Sequence, residues 1–485
     1  MSDSVPSLRV GQVTAVDVGA SIYEFSNIGA APVSATMREY KNLAPGGGQV
    51  KLVVPGKPLI GYSLVTRSDT IHLSRVPFEL SRSKNGEAEI LTYQASVSGL
   101  GIAITYEVIP DRYLMRVRGR IDGTVAPSYL LVDLPSSLPP AESDTLSDLR
   151  TLAYSFKPTR DNARGVAFEK LDPGERRLET GPLTWAAIRN KYFVIGLINS
   201  EGSAFDEVSL AGGPRTSKIA TTASATLVKA IPEGTFDFDM YVGPQQSTAL
   251  LAVGRDFSNV NPYGWSVLQG MVNPIAALCI KLLLWMHQTL NLSYGWVLVS
   301  FGVIVRIALW PLNQSAMRSS LKMQEIQPRL AEVQKKYKDK PEKQREEMMR
   351  VYKEAGASPF TALSGCLPAL IPMPVLFALF FVFQNTIEFR GVPFMWLTDI
   401  SIKDPVYILP VLMGASMYIL SWIGLRNAPP NPQAKMMGYM FPVMMTFVLA
   451  NMASGLNLYY TAQNIAALPQ QWLLARERAK ARRST

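Results

Sequence analysis

Cysteine and histidine are almost absent from this sequence. Its 485 residues include two cysteines, Cys279 and Cys366, and two histidines, His72 and His287, none of them closely spaced. The sequence therefore predicts neither a disulfide framework nor a zinc cluster. It also lacks a glycine-rich phosphate loop, a nucleophile elbow and paired carboxylates in an apolar setting. These absences indicate a protein that is not an enzyme and that uses no metal or cofactor.

Acidic residues are scarce in the second half of the chain. Residues 261–485 contain 22 Lys and Arg against 11 Asp and Glu, whereas residues 1–260 contain 26 against 27. The basic half also holds the long apolar stretches, which favours the cytoplasmic loops of a membrane protein and contact with anionic lipid or RNA. No nucleic-acid recognition motif accompanies the charge, so we expect no DNA binding.

The first half lacks long apolar runs and instead alternates polar with apolar residues. This period of two is clear in 115–121 and in 236–240, and it is typical of β-strands. Turn-forming clusters such as 44–48 and 84–86 separate short runs, which favours antiparallel sheets packed as a sandwich over a parallel α/β fold. We therefore predict an all-β domain over residues 1–258.

Five apolar segments in the second half are long enough, or nearly so, to cross a bilayer as helices. The polar segment 315–357 between the first two carries eleven Lys and Arg, and the tail 476–485 is also basic. Because basic loops stay on the cytoplasmic side, alternate crossings place the β domain outside. The predicted spans are roughly 293–312, 363–384, 405–424, 437–452 and 455–474.

An outer β domain needs a signal that directs it across the membrane. Met1 to Val10 contains neither a charged n-region nor an apolar h-region. We therefore expect the natural protein to carry an additional hydrophobic segment at its N-terminus. A genomic reading frame that begins at this Met1 would contradict that expectation.

Residues 259–291 lead into the first predicted span. From Met271 to Leu290 the apolar residues follow a helical pattern that polar residues interrupt, which predicts an interfacial amphipathic helix. A short spanning helix is the alternative, although Asn273, Pro274 and Lys281 shorten its apolar length.

Arg306 interrupts the first predicted span, inside the apolar run from Trp296 to Leu312. An arginine at bilayer depth costs roughly 2.5–3.5 kcal/mol and cannot lose its charge, which points to a wet cavity inside a membrane protein. The alternative is that the side chain reaches the headgroups, because Leu312 lies only about 9 Å further along the helix.

Polar residues recur on one side of the first predicted span and on one face of the last. We predict that the two helices enclose a hydrophilic recess that keeps the arginine hydrated. Hydrogen bonding between helices is the alternative explanation for the asparagines and the tyrosine. The predicted residues of this groove are Gly302, Arg306, Asn313, Asn457, Tyr460, Gln463 and Asn464.

Methionines recur at positions i, i+3 and i+7 of the fourth predicted span, at Met437, Met440 and Met444. Their flexible thioethers suit a surface that accommodates hydrophobic segments of varied sequence, although ordinary helix packing explains any single methionine equally well. We assign Met440 and Met444 to the substrate groove, together with Met373 of the second span.

The basic segment 315–357 contains apolar residues at helical spacing on both sides of a breaker at 339–341. This pattern predicts an antiparallel helical hairpin. Its role is either that of a mobile lid or docking surface for an incoming chain, or that of a solvated charged spacer.

Short motifs between about residues 262 and 474 occur in a fixed order. The motifs include Tyr263-Gly264-Trp265, Val305-Arg306, Trp310-Pro311-Leu312, Gly365-Cys366, Met373-Pro374, Asp404-Pro405, Phe441-Pro442 and Leu458-Tyr459-Tyr460. Their order resembles that of the YidC family of membrane-protein insertases, which has relatives in mitochondria and chloroplasts. In the first half, Tyr241-Val242-Gly243-Pro244 resembles the closing strand of the family's β-supersandwich domain.

The resemblance implies a periplasmic β-supersandwich joined to a five-helix core in the bacterial inner membrane, with the C-terminus in the cytoplasm. A hydrophilic groove centred on Arg306 would open to the cytoplasm and to lipid. The implied function is the insertion and folding of nascent inner-membrane proteins, alone or with the Sec translocon. The implied partners are nascent membrane proteins, the Sec translocon, the lipid bilayer and the ribosome, the last through the basic tail and the hairpin.

Two other functions remain open from the residues alone. A transporter or channel for an anionic solute would use the arginine as a binding group, although the sequence shows no inverted repeat. A structural chaperone would bind its clients with the β domain and use the helices only as an anchor. The predicted segments are the β domain 1–258, the amphipathic helix 259–291, the transmembrane core 292–475 with its hairpin, and the tail 476–485.

Overall fold

The chain divides into two compact units, Met1–Pro262 and Tyr263–Thr485, of which the first consists mainly of strands and the second of helices. The predicted residue Asn313, the N-terminal stretch 1–10 and the segments 315–328 and 355–372 lie outside the described residues. The structure, a computed structural model, describes residues 11–54, 56–67, 69–123, 128–200, 202–215, 219–261, 269–311, 314, 329–330, 332–338, 340–354, 373–426 and 432–481.

The first unit contains a four-stranded sheet of order β1-β2-β3-β4 and a 14-stranded sheet. The larger sheet runs β6-β5-β11-β17-β16-β14-β15-β18-β10-β9-β8-β7, and β12 joins β13 to β14 beside it. Neighbouring strands pair antiparallel, which confirms the predicted all-β, antiparallel character. The strands are β1 (Val13–Asp17), β2 (Ser21–Ser26), β3 (Ala31–Lys41), β4 (Gln49–Val53), β5 (Gly61–Val65), β6 (Thr70–His72), β7 (Glu79–Asn85), β8 (Ala88–Val97), β9 (Leu100–Val108), β10 (Leu114–Asp122), β11 (Tyr129–Leu134), β12 (Ala153–Pro158), β13 (Arg164–Ala167), β14 (Arg176–Arg189), β15 (Phe193–Asn199), β16 (Phe205–Gly212), β17 (Ala223–Ala230) and β18 (Thr235–Pro244).

The small sheet packs against the large one through aromatic side chains. The ring centroid of Phe25 on β2 lies 5.0 Å from that of Tyr106 on β9. The buried Tyr106 hydroxyl donates to the Ala30 carbonyl oxygen and also lies 2.8 Å from the Tyr62 hydroxyl. Burial raises the pKa of Tyr106 well above its ordinary value, so its hydroxyl stays protonated. Aromatic residues that alternate along the strands thus form the core between the two layers.

Strands β10 and β18 show how the alternation in the sequence becomes a paired register. Arg116 stands opposite Asp239, and the two side chains form an ion pair at 3.5 Å. Gly119 stands opposite Phe236, and a Cβ at that glycine would lie 2.0 Å from the ring of the phenylalanine. The missing side chain therefore provides the space in which the aromatic ring packs.

Two short helices of the first unit, α1 (Thr145–Arg150) and α2 (Ser247–Val253), have no counterpart in the prediction of strands. The first begins after Asp144, whose side chain accepts a hydrogen bond from the Ser147 backbone N–H at 3.0 Å. This side chain satisfies one of the free N–H groups at the start of a helix that is too short to show a periodic pattern in the sequence.

A helix of the second unit overlaps each of the five apolar segments that the sequence predicts as spans, although the bounds differ and the number of spans stays a prediction. One of these helices, α7 (Ile408–Arg426), is long and apolar enough to cross a membrane by itself within the described part of the chain, with a mean hydropathy of 1.8. Helices α3 (Gln269–Leu290) and α4 (Tyr294–Ala308) are together long and apolar enough, but they are bent by 120° at the break between them. The helices are α3 (Gln269–Leu290), α4 (Tyr294–Ala308), α5 (Pro341–Glu354), α6 (Met373–Asn385), α7 (Ile408–Arg426), α8 (Pro432–Leu449) and α9 (Ser454–Ala481).

Helix α9 is central to the packing of this unit. It contacts α4 on one side and α7 on another, and α7 also contacts α8. Phe301 of α4 and Tyr459 of α9 meet with ring centroids 5.9 Å apart inside one buried cluster that also includes Phe383 of α6. The polar side chains of α9 are consequently divided between two different neighbouring helices.

Helix α3 has the two faces expected of an amphipathic helix. Ala276 and Leu283 lie on a buried face, whereas Leu278, Lys281 and Trp285 are exposed. The exposed face combines a cation with large apolar side chains, as interfacial helices do. Its location at a membrane surface stays a prediction.

The predicted hairpin is described only in part. A short helical stretch at 332–336 precedes α5, and Leu330 packs with Tyr352 of α5 in a small cluster. The two segments therefore lie side by side. Their role as a lid or docking surface stays a prediction.

The connection 386–404 folds over one end of the helical unit. The Gly455 N–H donates to the Ile400 carbonyl oxygen at 2.8 Å, which ties the connection to the start of α9. Asp404 is fully buried and accepts a hydrogen bond from the Leu409 N–H at 2.8 Å. Phe394 packs against Gly295 at the start of α4. These contacts close the end of the unit where α4, α7 and α9 begin.

Candidate functional site

Arg306 lies in the last turn of α4 and is half-buried. Its Nη2 donates a hydrogen bond to Gln470 Oε1 on α9 at 2.8 Å. Its Nε is buried and has no hydrogen-bond partner among the residues that the structure describes. The ion pairs found in the described part of the helical unit all involve Arg350, and none involves Arg306. The guanidinium is therefore held by a neutral amide.

Gln470 is held in place by a second hydrogen bond. Its side chain is 3% exposed, and its Nε2 donates to the Trp310 carbonyl oxygen at 3.3 Å. Because the amide nitrogen must donate to that carbonyl, the amide oxygen is directed at the guanidinium. Trp310 follows the end of α4, where backbone carbonyls lack partners within the helix. Gln470 thus connects Arg306 to the backbone of the helix that carries it.

Gly302 allows α4 and α9 to approach closely one turn before the arginine. A Cβ at this position would lie 3.0 Å from the Tyr459 carbonyl oxygen and 3.3 Å from the Ala462 Cβ. Small residues permit such backbone contacts between helices. This close approach brings Gln470 within hydrogen-bond distance of Arg306. Gln463, 9% exposed, lies one heptad before Gln470 and on the same face of α9.

Asn457 and Asn464 do not face Arg306, contrary to the predicted recess. Asn457 is fully buried and its Nδ2 donates to the Leu449 carbonyl oxygen at the end of α8, at 2.9 Å. Asn464 Nδ2 donates to the Ser416 hydroxyl of α7 at 3.2 Å. Successive residues of a helix point about 100° apart, so these asparagines lie on a different side of α9 from Gln463 and Gln470. They form the hydrogen bonds between helices that the sequence left open as the alternative.

The remaining predicted residues occupy different places. Tyr460 is partly buried on α9, with its ring centroid 5.3 Å from that of Tyr459. Met440 and Met444 are 54% and 49% exposed on α8, so they lie on an open apolar face and not in a packed core. Met373 begins α6, and its side chain lies outside the described residues, as Asn313 does entirely.

Gln470 is the site residue that sequence reasoning missed. The available signal was its spacing of seven residues from Gln463, which places both amides on one face of the last predicted span. The sequence predicted Gln463 but not Gln470, because Asn457, Tyr460 and Asn464 give a more polar pattern on the neighbouring side.

Two family models match the chain. One, described as 60Kd inner membrane protein, matches residues 285–482, and the other, described as YidC periplasmic domain, matches residues 15–278. Solved structures that resemble the chain include an active YidC insertase with its first transmembrane domain resolved, at 18% identity and a TM-score of 0.37 over 96% of this chain and 93% of that one. YidC from Thermotoga maritima is 13% identical with a TM-score of 0.32, over 96% of this chain and 98% of that one.

Two relatives carry the name membrane protein insertase YidC. The protein of Chlorobaculum tepidum is 32% identical over 397 residues, which are 76% of this chain and 65% of that protein. The protein of Chlorobium luteolum is 31% identical over 420 residues, which are 81% of this chain and 69% of that protein. The chain thus spans about two thirds of the length of these relatives. With both of its units matched, this chain belongs to the YidC family.

Proposed function

We propose that this protein inserts nascent proteins into the bacterial inner membrane and assists their folding. The observation that carries the proposal is a permanent cation, Arg306, held inside a helical bundle by a neutral amide. Such a cation is free to attract a polar or acidic segment that must cross the membrane. Two relatives at 31% and 32% identity are named as insertases, which supports the same activity here.

The proposed topology has five membrane spans, formed by α4, α6, α7, α8 and α9. The basic hairpin 315–357 and the basic tail lie in the cytoplasm, and the β domain lies in the periplasm. The connection 386–404 then lies on the outer side, where its contacts with α4 and α9 close the groove. Clients therefore enter from the cytoplasm or from the lipid.

The proposed mechanism lowers the barrier for the polar part of a client. A polar segment enters the recess and meets Arg306 while its apolar neighbour slides over the exposed methionines of α8 into the lipid. Burial of apolar surface supplies about 25 cal/mol per Å², so the hydrophobicity of the client drives the reaction. The recess shortens the dry path that the polar segment must cross.

The basic parts of the protein suit contact with the ribosome. Helix α9 continues beyond its apolar part to Ala481, and the guanidinium of Arg476 stacks on the Trp472 ring, 3.4 Å from its centroid. Cations at this end of the helix attract the phosphates of RNA and of anionic lipids. We propose the ribosome and the Sec translocon as partners on this basis.

Reconstitution of the full chain into liposomes tests the proposal. A radiolabelled single-span client with a short translocated tail is added without ATP or other proteins, and its protected fragment is measured after protease treatment. We expect efficient protection with the protein and little with empty liposomes. Equal protection in both would contradict the insertase. Rapid uptake of an anionic solute by the same vesicles without client insertion would favour the transporter instead.

A further inference from the structure

We propose that Gln470 is a positioning residue that fixes the Arg306 guanidinium without neutralising its charge, and so makes the groove selective for acidic client segments. This inference rests on the proposed function and assigns the selectivity of its groove to a residue outside the predicted site. Arg306 lies on α4 and Gln470 on α9, and the Arg306 Nη2 and Gln470 Oε1 atoms are 2.8 Å apart.

The two hydrogen bonds of Gln470 favour a role in positioning the Arg306 guanidinium. A buried amide is costly unless its donor and acceptor are both used, and Gln470 uses one on Trp310 and the other on Arg306. The bond to the Trp310 carbonyl sets the orientation of the amide, and the amide oxygen then holds one end of the guanidinium. The other Nη donors of Arg306 are left for a client, because Arg306 forms no ion pair among the described residues.

The group that accepts the hydrogen bond from Arg306 is a neutral amide. Glutamate has nearly the size of glutamine and would also accept from the guanidinium. It would, however, form an ion pair, which is much stronger in a dry helical bundle than in water. A client carboxylate would then compete with a permanently tethered one. The amide supplies the hydrogen bond and leaves the net positive charge in place.

Packing alone does not account for a polar residue at this position. Helices α4 and α9 already meet at Gly302, where the backbone approach is close. An apolar side chain at 470 would fill the same space without the cost of burying an amide. A purely structural role and a positioning role therefore predict different results when the charge of the client is varied.

The test compares Gln470→Glu, Gln470→Met and the control Gln471→Glu in reconstituted full-length protein. Gln471 is the matched control because its side chain faces α7, where its Nε2 would lie 2.5 Å from a Cβ at Gly424. The control therefore introduces the same carboxylate at the next residue but on a different side of α9. Two clients are used that differ only in Asp or Asn residues in the translocated tail, and the ratio of their insertion rates is measured.

We expect the parent protein and Gln471→Glu to prefer the Asp tail by roughly tenfold, which corresponds to about 1.4 kcal/mol. Gln470→Glu should reduce this preference to less than about twofold, because the new carboxylate pairs with Arg306. Gln470→Met should keep a preference for the Asp tail but insert both clients several times more slowly. Thermal unfolding of each variant in detergent separates these effects from misfolding.

Retention of the tenfold preference by folded Gln470→Glu would overturn the inference, as would parental rates in Gln470→Met. Equal loss of preference in Gln471→Glu would also overturn it, because position would then not matter. Failure of the proposed function has a different signature, since the parent protein itself would then insert neither client. Insertion of both clients by the parent protein without a preference would overturn the inference alone.

Discussion

Arg306→Glu is expected to slow the insertion of clients with acidic translocated tails by roughly a hundredfold, because repulsion replaces attraction and each tenfold step corresponds to about 1.4 kcal/mol. Arg306 is held by an amide and lies apart from the ion pairs of the described residues, so its charge acts on the client directly. Initial insertion rates in reconstituted vesicles measure the effect. A carboxylate at 306 would also lose the hydrogen bond to Gln470 Oε1, since neither group can donate.

Arg306→Lys is the control that keeps the charge. An ammonium is a point charge without the planar fork of donors, so we expect an intermediate rate. A client with an uncharged tail should respond much less to Arg306→Glu than the acidic client does. Equal and normal insertion of both clients by Arg306→Glu would remove the electrostatic part of the mechanism. A small effect of Arg306→Ala would leave hydration of the groove as the active element.

Gly302→Leu is expected to disrupt the site from a distance of one helical turn. Because a Cβ at this position already meets the Tyr459 carbonyl oxygen at 3.0 Å, a leucine side chain must push α4 away from α9. Overpacking of this kind costs about 1–3 kcal/mol, and the separation also removes Arg306 from Gln470. We expect a lower thermal midpoint in detergent and a loss of most insertion activity.

Gly270→Leu is the matched control for this prediction. A Cβ at Gly270, in the first turn of α3, meets no atom of the described residues within 4 Å. Leucine in place of glycine favours a helix by roughly 0.8–1 kcal/mol, so the thermal midpoint should stay the same or rise. If Gly302→Leu matched this control in stability and in insertion rate, the close contact between α4 and α9 would have no functional role.

The sequence predicts the helices and strands of this protein better than it predicts which of them lie side by side. Alternation in 115–121 and 236–240 predicted strands that the structure shows as β10 and β18, because a half-buried strand has a period of two. The fact that these two strands pair with each other was not predictable, since the period reports which face is buried and not which strand lies beside it.

Periodicity likewise could not predict which side chain contacts Arg306. Helical spacing placed Asn457 and Asn464 correctly on a shared face of α9, but it could not show that this face meets α7 and α8. The partner of Arg306 instead comes from the face that meets α4. Periodicity identifies the sides of a helix, whereas the packing of three helices around it decides which side lines the site.

The spacing of the methionines in α8 also did not predict how far their side chains are exposed. The methionines of α8 fit either a packed interface or an open apolar surface on their spacing alone. Met437, Met440 and Met444 are 59%, 54% and 49% exposed, so the structure favours the open surface. A single helix carries too little information to show whether another helix covers it, because apolar side chains suit both lipid and a protein interior.

Photo-crosslinking from position 306 to a nascent membrane protein stalled on the ribosome tests whether a client reaches the groove at Arg306. A photoreactive residue replaces Arg306, and the adduct is mapped on a client whose tail and apolar span are distinguishable. We expect adducts with the polar tail that disappear when puromycin releases the chain. Adducts with lipid alone, or none with the client at any stalled length, would contradict a client-accessible groove at this arginine.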